Sequence, residues 1–302
     1  MATTIYNQIG SNKIKTWVIM IGFILLFVAV SIILGQALDY GWSWAGAMLI
    51  ISGSISFFSY YNSDKLVLSM SGAKLADKNT HRTLYTTVEN LSIAAGLPMP
   101  KVYVIEDRAP HAFATGRDPK HALVAATTGI LEKLNKAELE GVIAHEMSHV
   151  GNYDTRLMSV VAILVGSIAI LADVFMRITW FRGSDDDNRQ SNQIFMILAI
   201  VAAILAPIAA SLIQLSISRR REYLADASGA LLTRYPDGLA DALEKIAADN
   251  HVLKHASTAT AHLYIENPFK TDTKRPKGGQ WFINLFSTHP PIAERIKLLR
   301  AM

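Results

Sequence analysis

The stretch Ala144-His145-Glu146-Met147-Ser148-His149 decides the reading of this chain. It contains His-Glu-x-x-His with no helix breaker. Two residues four apart on a helix lie about 40° from each other around the axis, one turn up. Both imidazoles then face one metal ion, and neutral imidazole suits zinc well. Glu146 lies about 100° round from His145. From there its carboxylate reaches the water that such a site keeps in its open position, not the metal. Residues 136–152 carry helical spacing, with Leu139, Val142, Ile143 and Met147 as apolar positions. The plain alternative is a surface or core pair of satisfied histidines.

A catalytic zinc needs three protein ligands and one open position. A metzincin pattern would put His six residues after His149, where this chain has Thr155. Asp154 is near in sequence but lies about 140° round from His149 on a continued helix. It points away unless the helix ends first. Glu222 is the better candidate. It shares a helical face with Asp226, four residues on. Glu222 can bind zinc while Asp226 accepts a proton from the outer nitrogen of a ligand His, fixing its tautomer. A solvated face of alternating charges is the alternative reading of that segment.

The chain around these motifs reads as a membrane protein. Of its 302 residues 51% are hydrophobic and 18% charged, against roughly a quarter charged in soluble domains. Four apolar blocks approach spanning length, which is about 20 helical residues. They run from Thr16 to Leu34, from about Trp44 to Tyr61, from Leu157 to Met176 and from Ile194 to Ile217. Core helices normally keep a polar stripe, and the first, second and fourth blocks have none. Lys13 and Lys15 precede the first block, Lys65 and Lys74 follow the second, and Arg219, Arg220 and Arg221 follow the fourth. Positive residues stay cytoplasmic, so both hairpins cross outward and return. The loop 177–193, of mixed charge, is the weak point of that topology.

The expected organisation is α+β and mainly α. It comprises a transmembrane hairpin over 1–61, a cytoplasmic peptidase part over 62–156, a second hairpin over 157–217 and a cytoplasmic part over 218–302. Helix 82–96 stops at Gly96. Lys101–Ile105 is an expected strand, with further extended pieces at His111–Thr115 and His121–Ala126. Arg220–Thr233 is helical, Asp237 caps a helix to about Ala248, and Pro290 opens a last amphipathic helix. Asn250–Phe286 reads as a long mobile loop. The small, scattered net charge of +4 excludes a nucleic-acid stripe. The absence of cysteine leaves His and carboxylates as the metal donors. Because the hairpin over 157–217 returns to its own side, residues 149 and 222 both emerge at the same membrane face.

These residues resemble the HtpX-type membrane zinc peptidases, related to the CAAX prenyl endopeptidases. The resemblance is carried by Pro98–Ile105, His111–Gly116, Leu139–Asp154, Ser218–Asp226 and Ser287–Ile296. It implies a gluzincin fold, with His145, His149 and Glu222 as zinc ligands and Glu146 as general base. It also implies cleavage of misfolded or damaged membrane proteins, or of unfolded polypeptide, at the cytoplasmic membrane of a bacterium. His111, Ala112, Phe113 and Ala114 become an edge strand that pairs with substrate backbone. The family usually has Asn where this chain has His111. The tail motif implies that His289 and Arg295 lie near the site. Either could donate to the oxyanion, but His289 could equally cap a helix and Arg295 is favoured as a structural ion pair; Tyr223 is a further candidate donor. Two rival readings are an intramembrane zinc protease and a zinc-binding membrane scaffold or carrier without hydrolytic activity. The charged and polar residues around His149 and the presence of Glu146 speak against them.

Overall fold

The computed structural model describes residues 5–37, 42–165, 219–251 and 290–302. Most of the third apolar block, the whole fourth block, the loop 177–193, nearly all of Asn250–Phe286 and His289 lie outside the described residues.

Two long helices open the chain, α1 (Ile5–Ala37) and α2 (Trp42–Ser71). The segment Ile9–Ala29 of α1 is long and apolar enough to cross a membrane, the one such segment among the described residues. α2 covers the second apolar block and kinks at Asn62, one residue after that block ends. Arg117 donates to the carbonyl of Tyr61 at the kink, 3.2 Å away. The freed backbone group thereby gains a partner, as a helix break requires.

A four-stranded mixed sheet follows, in the order β1 (Lys74–Leu75), β2 (Lys101–Ile105), β4 (Leu123–Thr127), β3 (Ala112–Thr115). β2 and β4 are parallel, while β1 and β3 are antiparallel edges. The three expected strands are present. β1, only two residues long and exposed, carries no readable period. β3 starts at Ala112, and His111 sits just ahead of it.

One face of the sheet packs on α3 (Arg82–Ala95) and on α5 (Lys136–Gly151), which follows the short α4 (Thr128–Lys133). Val102, Val104, Val124 and Ala126 meet Leu84, Val88, Leu91, Val142, Ile143 and Met147 in one continuous core. Gly96 ends α3 in the left-handed conformation, which glycine adopts without a Cβ penalty. A capping box starts α5: Asn135 accepts from the Glu138 amide, and the Glu138 side chain accepts from the Asn135 amide.

A helix over 154–165, here α6, follows at once, then α7 (Arg219–Thr233), α8 (Pro236–Ala247) and α9 (Ile292–Leu299). Leu157, Val160, Val161 and Leu164 of α6 pack on Ile19, Met20, Phe23 and Phe27 of α1. Two helix starts differ from expectation. Pro236 occupies the first turn of α8 and Tyr235 is its N-cap, so Asp237 lies inside the helix. Pro291 is the N-cap of α9, whose first residue, Ile292, lies two positions after Pro290. In both, the fixed φ of proline sets the entry.

Candidate metal centre

α5 and α7 lie against each other, and their buried faces carry the site. A Cβ on Gly229 would stand 3.0 Å from the backbone nitrogen of His145, so the missing side chain lets α7 touch the backbone of α5. That approach brings three ligand atoms together. His145 Nε2 and His149 Nε2 are 3.2 Å apart. Glu222 Oε2 is 3.7 Å from the first, and Glu222 Oε1 is 3.6 Å from the second. Ligands at ~2.0–2.1 Å from a tetrahedral zinc stand about 3.3 Å from one another, so this triangle fits such an ion. All three side chains are buried.

The outer nitrogens explain why both Nε2 atoms face inward. His145 Nδ1 lies 2.9 Å from Asp226 Oδ1, and His149 Nδ1 lies 3.1 Å from Asp154 Oδ2. Each carboxylate accepts the Nδ1 proton and leaves the Nε2 lone pair free for a metal. Asp226 lies one turn after Glu222 on α7. Asp154 reaches His149 because the helix ends first. α5 ends at Gly151, Tyr153 takes a left-handed φ of 61°, and Asp154 swings back beneath His149. The signal was the pair Gly151-Asn152, both common at helix C-termini.

Arg295 closes the second side. It is fully buried and grips Asp226 with two donors, Nε at 2.8 Å and Nη2 at 2.6 Å. Its Nη1 lies 3.8 Å from Glu222 Oε2 and has no hydrogen-bond partner among the described residues. Arg295 also acts on His145 electrostatically. Burial pulls His145 below its ordinary value; Asp226 opposes this and Arg295 reinforces it. Burial pulls on His149 too, but Asp154 and Glu222 outweigh it and lift that ring to about 9.

Glu146 faces the sheet. Its Oε2 accepts the backbone N–H of Ala114 at 2.9 Å. Burial pushes its carboxyl up to about 7; Glu222 adds to the rise, and His149 and the Ala114 amide oppose it. The Ala114 amide therefore points away from β4, so the outer edge of β3 faces the site. Among the described residues nothing pairs with that edge as a strand. His111 is buried at the head of β3. Its amide donates to Thr127 Oγ1, and its carbonyl accepts the Thr127 amide at 2.9 Å. Burial pushes its imidazole down to about 4. Phe113 points into the core on the opposite face of the sheet. Tyr223 is half-buried beside Glu222; burial first, and the neighbouring Glu294 second, raise its phenol above its ordinary value.

The profile described as Peptidase family M48 matches residues 78–302, three quarters of the chain. The chain belongs to peptidase family M48. Similar relatives are the protease HtpX homologs of Tropheryma whipplei (strain Twist) and Dictyoglomus thermophilum. The first is 46% identical over 98% of this chain and 98% of its own length, the second 45% identical over 99% and 95%. The crystal structure of Ste24p from S. mikatae aligns at 18% identity with a TM-score of 0.48, over 96% of this chain and 65% of that one. This M48 peptidase is a membrane-bound metalloprotease.

Proposed function

We propose that this M48 peptidase is a zinc endopeptidase. It cuts misfolded or damaged membrane proteins, and unfolded polypeptide, at the cytoplasmic face of a bacterial inner membrane. In this reading four spans form two hairpins, and 62–156 and 218–302 build one peptidase unit between them. The observation that carries it is the buried triangle of His145, His149 and Glu222, with Glu146 held beside it by the edge of β3.

His145, His149 and Glu222 would hold the ion, and zinc when bound supplies Lewis acidity to water and to the scissile carbonyl. The other tasks fall to the chain. Substrate backbone adds to the outer edge of β3, meeting the main-chain groups of Ala112 and Ala114. That places a scissile bond beside Glu146. Glu146, anchored through Oε2 to Ala114, takes the proton of the attacking water at Oε1 and returns it to the leaving amine. The burial that makes this carboxyl a better proton acceptor also excludes bulk water. The oxyanion takes its donor from His289 or from Tyr223. Asp226 and Asp154 keep the histidines oriented.

The test is metal analysis of the purified full chain together with cleavage of casein and of an unfolded membrane protein. Glu146→Gln should retain stoichiometric zinc and lose about 10²–10⁴-fold in turnover. Undiminished cleavage by that variant refutes the assignment.

A further inference from the structure

The metal centre has a contact that the peptidase unit alone does not supply. Asn12 belongs to α1, within the N-terminal end of the apolar segment Ile9–Ala29, and is 1% exposed. Its Nδ2 donates to Asp154 Oδ1 at 2.7 Å and to the carbonyl of Asn152 at 3.0 Å. Its Oδ1 faces Arg221 Nη1 at 3.5 Å, and that same nitrogen stands 3.4 Å from Asp154 Oδ1. The partners leave the amide one orientation, with both N–H groups on acceptors and the oxygen on a donor. Asp154 is therefore held from two sides. One oxygen receives Asn12 and Arg221, and the other receives His149 Nδ1.

We propose that Asn12 is a positioning residue of the metal centre, acting through Asp154 on His149, so that one side chain of α1 is part of what makes the site bind zinc. Asn12, 142 residues from Asp154 in sequence, thus reaches a metal ligand through two hydrogen bonds. The geometry fits a role beyond packing. Asparagine is costly to bury unless its amide is satisfied, and α1 already has an apolar contact surface on α6 in Ile19, Met20, Phe23 and Phe27. One turn of that surface would have docked the helix without an amide. The place where the amide sits is the elbow between α5 and α6, from which Asp154 must turn back to reach His149.

The inference rests on His145, His149 and Glu222 holding zinc, and the experiment separates the two. The probe is zinc itself, titrated into the apo full chain in detergent against a competing chelator, with the visible spectrum of the Co²⁺-loaded protein as a second readout. Asn12→Leu, which keeps size and removes the amide, should weaken zinc about tenfold, the low end for loss of an outer partner. It should also shift the Co²⁺ bands. In an Asp154→Ala background the same substitution should add nothing further, because the residue through which it acts is gone. Met20→Ala, which loosens α1 docking without touching Asp154, should bind zinc within about twofold of wild type. Wild-type affinity in Asn12→Leu overturns the proposal, as does an equal loss in the Asp154→Ala background. If Asn12→Leu does not fold, Asn12→Ser takes its place, and wild-type affinity in it overturns the proposal equally. If His149→Ala leaves zinc binding intact, the site reading fails; if it abolishes binding while Asn12→Leu does not weaken it, only the role of Asn12 fails.

Discussion

Breaking the pair Asp226–Arg295 tests how the second side of the site is built. Arg295 is 0% exposed and Asp226 is 2% exposed. Asp226 takes three hydrogen bonds, two from the guanidinium and one from His145 Nδ1. Arg295→Met removes one charge and leaves the carboxylate buried with His145 alone. Asp226→Leu leaves the guanidinium with only the distant Glu222. Removing one member of a buried pair costs about 3–5 kcal/mol. At about 2–4 °C per kcal/mol for 150–250 residues, each single variant should melt roughly 6–20 °C below wild type. Replacing both members by apolar side chains of similar volume is often close to neutral, so Arg295→Met with Asp226→Leu should recover most of that loss. Zinc affinity should behave differently. It falls about 10–100-fold whenever His145 loses its Nδ1 acceptor, and so stays low in the double variant. Melting of the apo full chain and chelator-competed zinc binding give the two readings. Single variants within about 1 kcal/mol of wild type, or a double variant that loses the sum of both, would refute the reasoning.

Other outcomes follow from the same geometry. His111 has a folded value of about 4 against an ordinary 6.5, so the unfolded chain binds more protons in that window. Its contribution is complete above pH 6.5 and is lost as the pH falls towards 4, up to about 3 kcal/mol at 1.36 kcal/mol per pH unit. His111→Asn should flatten that slope in melts between those pH values, and an unchanged slope counts against it. Gly229→Ala forces a methyl to 3.0 Å from the His145 backbone. The overpacking cost of about 1–3 kcal/mol is partly offset by about 1 kcal/mol of helix propensity. Zinc affinity should therefore drop more clearly than melting temperature, since both Glu222 and Asp226 ride on the displaced helix. Chelation should lower the melting temperature of the wild-type chain and zinc should restore it in a concentration-dependent way. A Glu222→Ala chain should show no such response.

The sequence carried the helix with the two histidines because two of its features agree: an apolar period and an uninterrupted run. It carried Glu222 and Asp226 because four-residue spacing fixes a shared face whatever the surroundings. It did not carry Asp154. Helical geometry aims that residue away, and only the break after Gly151 turns it back. Arg221 and Asn12 were illegible for a related reason. Each meets Asp154 across a gap of 67 or 142 residues, and no local pattern records such contacts. β3 was legible from its residues only as an extended piece; its place at the sheet edge, which follows from pairing order, came from the family resemblance alone. The register that turns the Ala114 amide toward Glu146 is likewise a property of the assembled sheet.

Tyr153 sits in the elbow with a φ that costs a bulky residue roughly 1–3 kcal/mol. Glycine or asparagine would occupy that backbone more cheaply. The ring offers something those residues lack: Lys13 stands 4.3 Å from its centroid and Arg156 4.9 Å, within cation–π range. The joint is thus a sprung clasp, bent against its own preference and kept shut by charges from the first helix and from the helix that follows. Tension at either end of the clasp has only four residues of chain in which to dissipate before it reaches His149.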